Sequence, residues 1–210
     1  MTGQASMRTD DMPLHGVTVV DLTRVLAGPM CTQMLADLGA RVIKVEQPGV
    51  GDDSRALGPF VDGRSAYFLS INRNKESIAL DLKAPADREI LERLLATADV
   101  LVENFRPGTM EKLGYGWDLL HERYPRLVMT SISGFGQTGP YRGFPAYDMV
   151  VQAMSGMMSV TGNTGMGPCR VGVSIGDLGA GLYAVIGTQA ALMKRQRTGV
   201  GERVDVSMLD

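Results

Sequence analysis

The stretch GVTVVDLTRVLAGPMCTQMLADLGARVIKVE, residues 16–46, decides the fold class. Its first part, 16–22, is an apolar run rich in β-branched residues, which is typical of a buried strand. Residues 27–40 carry apolar side chains at helical spacing and end near a glycine, so they predict a helix. A second β-branched run over 40–46 predicts another strand. A strand, a helix and a strand in so short a stretch predict a parallel sheet with right-handed crossovers.

The alternation continues along the rest of the chain. It predicts a loop at 48–59, two short strands around a polar turn at 65–83, a helix at 85–98, and strands at 99–105 and 125–135. It then predicts a segment that begins as a helix at 148–162, a long helix at 178–199 and a last strand at 201–210. The fold class is therefore α/β. Residues 1–13 predict a disordered lead, and 14–210 contain no linker or repeat. The last strand stops without a turn or cap, which we interpret as a domain that is incomplete at its C-terminus.

The composition excludes several classes of function. The chain is 44% hydrophobic and 21% charged with a net charge of −2, which gives no electrostatic reason to expect nucleic acid or a membrane surface. No stretch is long and apolar enough to span a bilayer, and the N-terminus lacks the apolar core of a secretory signal. Cys31 and Cys169 are isolated in the sequence, without a disulfide framework. The expected localisation is cytoplasmic.

Histidine is scarce, and this limits the chemistry. Only His15 and His121 occur, so a zinc site built on several imidazoles is excluded. A Ser-His-Asp triad would have to use one of these two residues. Both lie among polar neighbours, and we interpret both as surface residues. No metal is expected.

The string GFGQTG at 134–139 matches the G-x-G-x-x-G fingerprint of dinucleotide sites and follows a predicted strand. That fingerprint requires a helix to begin there, because the helix N-terminus holds the pyrophosphate. Pro140, Gly143 and Pro145 follow within a few residues and forbid that helix. The string therefore predicts a turn.

Asp177 stands in GVSIGDLGAG at 172–181, between glycines and at the start of a long helix. Glycines beside a carboxylate let a bulky ligand approach the backbone closely. A helix N-terminus also stabilises negative charge, both on the aspartate and on an oxyanion formed beside it. The structural alternative is that Asp177 is only the N-cap of this helix. Local features alone leave both interpretations open.

Further polar segments suggest an acidic, multiply oxygenated ligand. Residues 72–75 (NRNK) and 103–108 (ENFRPG) place amides and cations in loops next to strand ends, where α/β sheets bind ligands. Residues 24–29 (RVLAGP) open a helix just after the first strand. Tyr147 in PAYDMV is either a hydroxyl donor or a packed ring. Each segment taken alone is also compatible with a solvated turn.

Taken together and in order, these segments resemble the class III CoA transferases, a family that also includes acyl-CoA racemases. The matching strings cover nearly the whole chain from about residue 14, at 21–48, 72–83, 98–108, 133–140, 146–156 and 174–184. The resemblance implies the parallel-sheet, Rossmann-like large domain of that family, with 14–210 as its N-terminal part and the remainder and a small domain absent. It further implies an interlocked homodimer in the full-length protein.

The resemblance also implies a mechanism. The aspartate matching Asp177 is the family's nucleophile, and it carries CoA as an aspartyl-CoA thioester between two carboxylic acids. Tyr147 would line the acyl pocket. The CoA thioester is a substrate, and no permanently bound cofactor is implied. The residues that would contact CoA are Val25, Leu26, Ala27, Leu80, Lys83, Asn104, Phe105, Arg106 and Lys112.

The strings RVLAGP, NRNK and GFGQTGP are most similar to the branch that uses succinyl-CoA with a dicarboxylate such as glutarate. Oxalate-using formyl-CoA transferases have a glutamine where this chain has Leu26, which argues against oxalate as the acceptor. Two alternatives remain. A racemase of the same family uses a histidine in a GHD-type string, where this chain has Tyr147 in AYD. The second alternative is that the chain is a truncated, non-catalytic CoA-binding fragment.

Overall fold

The computed structural model describes residues 11–210, so most of the predicted disordered lead at 1–13 lies outside the described residues. A six-stranded sheet forms the centre, and every neighbouring pair in it is parallel. Its strands are β1 (Thr18–Asp21), β2 (Arg41–Glu46), β5 (Lys75–Ala79), β6 (Val100–Glu103), β7 (Val128–Ser133) and β8 (Arg203–Ser207). Their order is β5-β2-β1-β6-β7-β8. The predicted α/β class with a parallel sheet is confirmed.

Within residues 11–210, seven α-helices connect the strands: α1 (Ala27–Asp37), α2 (Ala66–Asn72), α3 (Pro85–Leu95), α4 (Thr109–Leu113), α5 (Trp117–Arg123), α6 (Asp148–Met154) and α7 (Ile175–Thr198). A small antiparallel ribbon, β3 (Phe60–Val61) and β4 (Arg64–Ser65), lies outside the main sheet. Short 3-10 turns occur at Asp53–Ala56 and Met157–Val160.

The sheet is buried on both faces, because its strands alternate between two separate apolar clusters. On one face Val19, Val100 and Val128 pack against α1 and α7. On the other face Val20, Leu101 and Met129 are in the cluster that includes side chains of α3, α4 and α5. This arrangement explains why the central strands are apolar at successive positions rather than at every second one.

The prediction of two strands around a turn at 65–83 is half wrong. The second strand exists as β5, but the first segment is the helix α2. Its aromatic and β-branched residues resemble a strand in the sequence. Ser65 decides the outcome locally, because its Oγ accepts a hydrogen bond from Phe68 N at 3.0 Å and caps the first turn of the helix.

The turn at 134–139 is confirmed, since the next helix, α6, begins only at Asp148. The long helix starts earlier than predicted, at Ile175 instead of 178. Ser174 is its N-cap, and Asp177 is its third residue. The alternative that Asp177 is merely the N-cap is therefore wrong.

The strand order reverses direction between β1 and β6, since the chain moves outward from β1 to β2 and β5 and then returns to β6. Loops that leave two such neighbouring strands diverge to opposite sides of the sheet. A crevice opens between them at the carboxyl ends, and this is where open α/β sheets bind ligands.

Candidate functional site

A cavity of about 220 Å³ occupies this crevice. The loops that follow β1 and β6 form one side of it, with Val25, Leu26 and Ala27 from the first and Asn104, Phe105 and Arg106 from the second. Phe144, Ala146, Tyr147 and Asp177 also line the cavity. The topology thus brings together residues that are up to 184 positions apart, counted from Arg24 to Met208.

The loop after β1 is held in an unusual conformation. Val25 has a φ of 70°, which is a left-handed backbone angle that β-branched residues rarely adopt. Asn104 fixes the preceding residue, since its Oδ1 accepts from Arg24 N at 2.8 Å and its Nδ2 donates to Arg24 O at 2.7 Å. Asp52 Oδ1 accepts from Val25 N at 3.1 Å. The strain is maintained because the surroundings determine the loop from several sides.

Buried charges lie directly beneath this loop. Lys44 Nζ is 2.8 Å from Asp52 Oδ2 and also donates to Thr23 O at 2.8 Å. Lys75 Nζ is 3.1 Å from Asp21 Oδ2. Burial alone would raise the pKa of Asp21, but the charges of Lys75 and Lys44 and two threonine hydrogen bonds outweigh it and lower that pKa. These carboxylates are therefore ionised and paired inside the protein.

Asp177 is in the first turn of α7, and its environment differs from that of Asp21. Burial raises its pKa to about 6, and the nearby charge of Asp148 adds to the rise. A carboxyl group with this pKa is still mostly ionised at neutral pH, but it is a stronger base than an ordinary aspartate. The site thus holds a poorly stabilised carboxylate at the edge of a cavity, which is the condition expected for a nucleophile.

Tyr147 is the N-cap residue of α6 and lines the same cavity. The residue is 76% exposed, so the packed-ring alternative does not describe it within this chain. Tyr67 on α2 lies close enough to Asp177 that the aspartate's charge, after burial, contributes to a raised pKa of the tyrosine. Sequence reasoning missed Tyr67, because α2 was expected to be a strand.

A second cavity, of about 520 Å³, adjoins the first, and Arg24 and Phe105 line both. Its walls are mainly apolar, with Leu22, Leu80 and Leu82 among them, and Lys83 is at its edge. Two of the predicted CoA contacts, Leu80 and Lys83, are therefore found in this cavity and not beside Asp177. Gln47 and Pro48 also line it. Sequence reasoning missed them. They follow β2 directly, and residues just after the strands of a parallel sheet are where ligands bind, so their position could have identified them.

Lys112 lines neither cavity. It is exposed on α4, between Thr109 and Leu113, which do line the larger one. Arg24 and Asp53 were not singled out individually, yet both face the smaller cavity and form an exposed ion pair at 3.7 Å.

Neither histidine is part of these cavities. His15 is exposed, and His121 on α5 stacks on Trp117 with ring centroids 4.7 Å apart. Among residues 11–210 no group of three or more His, Cys, Asp or Glu side chains is arranged to hold a metal ion. Over the same range, no helix has the length and apolar character needed to cross a membrane.

Comparison with known proteins gives a consistent result. The model of CoA-transferase family III matches residues 14–210. An acetyl-CoA:oxalate CoA-transferase of Acetobacter aceti is 52% identical over 199 residues, which are 94% of this chain and 51% of that protein. A succinyl-CoA:glutarate CoA-transferase of Mus musculus is 48% identical over 210 residues, which are 99% of this chain and 48% of that protein.

The fold comparison agrees. A crystal structure of a CAIB/BAIF family protein from Brucella suis superposes with a TM-score of 0.91 at 46% identity, over 95% of this chain and 54% of that one. The chain spans about half the length of the curated relatives it matches. With the match of the family model over 14–210, the chain belongs to the CoA-transferase family III.

Proposed function

We propose that the chain carries the nucleophile of an enzyme that moves CoA from an acyl-CoA to a carboxylic acid, and that Asp177 is this nucleophile. The observation that carries the proposal is the position of Asp177. It is in the first turn of α7, faces a cavity at the reversal point of the sheet, and has a pKa raised to about 6 by burial and by Asp148.

The first half of the proposed reaction forms a covalent intermediate. The Asp177 carboxylate attacks the thioester carbonyl, the carbon–sulfur bond breaks, and a mixed anhydride and the CoA thiolate result. The thiolate then attacks the Asp177 side-chain carbonyl, and the anhydride carbon–oxygen bond on that side breaks. The first acid leaves as a carboxylate, and aspartyl-CoA remains as a thioester.

The second half runs in reverse with another acid. Its carboxylate attacks aspartyl-CoA, which releases the thiolate and forms a new mixed anhydride. The thiolate attacks the new acyl carbonyl, and Asp177 departs as a free carboxylate. The free energy of the thioester is conserved at each step as long as water is excluded, because hydrolysis would release it. No step requires a proton transfer. This suits a site without histidine.

The two adjoining cavities support a placement of CoA. The larger, apolar cavity with Leu80 and the Lys83 cation fits the flat, apolar face and the phosphates of the nucleotide end. The smaller cavity, where Val25, Leu26, Ala27 and Asn104 meet Asp177, fits the thioester end. Phe105, which lines both cavities, would be the point at which the ligand passes from one to the other.

For the acids, we propose succinyl-CoA as donor and a dicarboxylate as acceptor. Two arginines, Arg24 and Arg106, line the cavity of Asp177 and favour a substrate with a second, free carboxylate. Arg106 has no ion-pair partner within residues 11–210. Relatives of similar identity are named for oxalate and for glutarate, so the argument from Leu26 against oxalate still needs a direct assay.

The same site argues against the racemase alternative. Proton exchange at an α-carbon needs a side chain that can both take and give a proton, and this chain has the phenol of Tyr147 where a racemase of the family has a histidine imidazole. If the protein introduces deuterium at the α-carbon of an acyl-CoA in deuterated water as fast as it transfers CoA, the transferase assignment is wrong.

We further propose that the full-length protein is a cytoplasmic, interlocked homodimer. Large apolar side chains are exposed on and beside α7, including Tyr183 at 70% and Ile186 at 61%, and these need cover in water. Cys31 and Cys169 are both free thiols, as expected in a reducing compartment. Sedimentation of the full-length protein at several concentrations tests the dimer, and a monomer at every concentration would contradict it.

The central experiment replaces the nucleophile. Asp177→Ala in the full-length protein should reduce transfer by more than about a thousandfold, because no carboxylate remains to form the anhydride. CoA binding, measured by calorimetry, should stay within about threefold. During turnover of the wild type, hydroxylamine should trap a derivative on Asp177 alone, read by mass spectrometry. Substantial transfer by the alanine variant would overturn the mechanism.

A further inference from the structure

Beside Asp177, on the side of α6, lies a pair of buried polar side chains. Asp148 and Gln152 are one helical turn apart on α6 and are only 6% and 1% exposed. Asp148 Oδ2 accepts a hydrogen bond from Gln152 Nε2 at 2.7 Å. Burying a polar group costs free energy unless the group is hydrogen-bonded, so the hydrogen-bond partners of this pair indicate its structural role.

Those partners lie in the segment that leads into α7 and in the first turn of α7. Asp148 Oδ1 accepts from Gly176 N at 2.8 Å. Gln152 Oε1 accepts from Val171 N at 2.8 Å, and its Nε2 also donates to Val173 O at 3.3 Å. The pair therefore fixes three points between 171 and 176.

The start of α7 needs this support. Ser174, its N-cap residue, makes no side-chain cap hydrogen bond. A first-turn N–H without a partner is normally satisfied by such a cap. Here the carboxylate comes from another helix. Gly176 permits the approach, since a Cβ at that position would be 3.1 Å from a Val151 methyl and 3.2 Å from Asp148 Oδ1.

We propose that Asp148, held by Gln152, is a positioning residue that fixes the first turn of α7 so that Asp177 faces the cavity. This inference rests on the proposed role of Asp177 as the nucleophile. Asp177 is the residue directly after the Gly176 amide that Asp148 binds, so any shift of that amide moves the Asp177 carboxylate with it. Misplacing a reacting group by about 1 Å can reduce a rate about a hundredfold.

Asp148 has a second, electrostatic effect on Asp177. Its charge adds to burial in raising the pKa of Asp177. Other charged or titratable groups are nearby: Tyr67 on α2 is affected by the charge of Asp177, and Arg24, Asp53 and Arg106 line the same cavity. Replacing Asp148 alone changes one charge and leaves those four in place. The positional and electrostatic effects can therefore be separated by choice of variant.

Two variants of the full-length protein make the test. Asp148→Asn removes the charge and keeps an oxygen that can accept from Gly176 N. Its kcat should fall about tenfold, and the acidic limb of its pH–rate profile should move to lower pH. Gln152→Met keeps the charge of Asp148 and removes the hydrogen bonds to 171 and 173. Its kcat should fall about three- to tenfold, with the acidic limb unmoved. The acyl-CoA KM should stay within about threefold in both.

A readout independent of turnover completes the test. Carbon-13 titration of the Asp177 carboxyl by NMR should give a lower pKa in Asp148→Asn than in the wild type, and the same pKa in Gln152→Met. If wild-type protein shows no transfer, the proposed function fails while this titration still tests the contact. If both variants fold and keep wild-type kcat, or if Asp148→Asn slows transfer with no change in the pKa of Asp177, the inference is overturned.

Discussion

The two walls of the Asp177 cavity are built in different ways. The wall made by the loop after β1, residues 23–27, is held at its backbone by three side chains. Asn104 accepts and donates a hydrogen bond, Asp52 accepts one, and Lys44 donates one. The wall made by residues 144–147 has no hydrogen bond from a side chain to its backbone within residues 11–210. Phe144 N donates to Tyr141 O, their rings touch, and Ala146 packs against Gly134. Phe144 and Tyr147 are 61% and 76% exposed.

This difference separates two tasks. The 23–27 wall is fixed before any ligand arrives, even to the point of keeping Val25 in a left-handed conformation. A preorganised wall suits the part of the substrate that is constant, which in a CoA transferase is CoA itself. The 144–147 wall is open and aromatic, and it suits the part that varies, the acyl group.

The largest effect should follow from breaking the support of the 23–27 wall. Lys44→Met leaves Asp52 charged, buried and unpaired, and it removes the hydrogen bond to Thr23 O. Loss of one partner of a buried ion pair typically costs about 3–5 kcal/mol of unfolding free energy. Urea denaturation of the full-length protein measures this loss.

The matched control is Arg41→Met, which breaks an ion pair with Glu76 whose side chains are 61% and 59% exposed. Its cost should be below about 1 kcal/mol. The double variant Lys44→Met/Asp52→Asn should recover part of the lost stability, because no charge is left unpaired. A Lys44→Met protein as stable as Arg41→Met would show that the buried pair does not support the wall.

Features with a local sequence pattern could be predicted from the sequence, whereas the long-range polar contacts that hold the 23–27 wall could not. Strand and helix periods over 16–46 are strong because both faces of the sheet are buried, so the parallel sheet was predictable. The turn at 134–139 was predictable from its prolines. Asp177 was a candidate from its flanking glycines, and the family resemblance decided between nucleophile and N-cap.

The support of the 23–27 wall was not predictable from the sequence. Lys44 in RVIKVE resembles an ordinary polar position of a strand, and only the packing of the 47–56 loop over it makes it a buried ion-pair partner. Asp148 likewise resembles the first acidic residue of any helix, since its partner Gly176 is 28 positions away. Long-range pairing of polar groups has no period, so pattern analysis does not detect it.

A smaller effect of opposite sign is expected for Asp177, which faces the cavity between the walls. Its pKa is raised by folding, from an ordinary 3.8 to about 6. The folded state therefore binds the Asp177 proton more tightly, so the contribution of this group to stability is fully present below about pH 4 and is lost as the pH rises through about 6. At pH 8 the ionised carboxylate costs at most about 3 kcal/mol.

Asp177→Asn should therefore unfold at higher urea concentration than the wild type at pH 8, and the difference should disappear near pH 4. Transfer should be lost in the same protein, which would mark Asp177 as a site where function costs stability. The control is Asp53→Asn, whose exposed ion pair with Arg24 should change stability by less than about 0.5 kcal/mol. If Asp177→Asn is no more stable than wild type at pH 8, the ionised Asp177 carboxylate costs less unfolding free energy than its burial indicates.

The smallest effect on stability is expected at the 144–147 wall. Tyr147→Phe removes one exposed hydroxyl for which no hydrogen bond exists within residues 11–210, so unfolding free energy should change by less than about 0.5 kcal/mol. Transfer should nevertheless fall about tenfold to a few hundredfold. The hydroxyl would donate to the anhydride or carboxylate during the reaction, and losing a bond to a buried charged partner costs about 1–3 kcal/mol.

This variant tests the division between the walls most directly, because a wall for the acyl group should affect acids and not CoA. Tyr147→Phe should therefore leave CoA binding unchanged and alter the relative rates with succinate, glutarate and oxalate as acceptors. The donor–acceptor matrix is read by mass spectrometry of the CoA esters. A uniform loss across all acceptors together with weaker CoA binding would place Tyr147 with the CoA-binding residues. The two walls would then share one task, and the contrast in their rigidity would need another explanation.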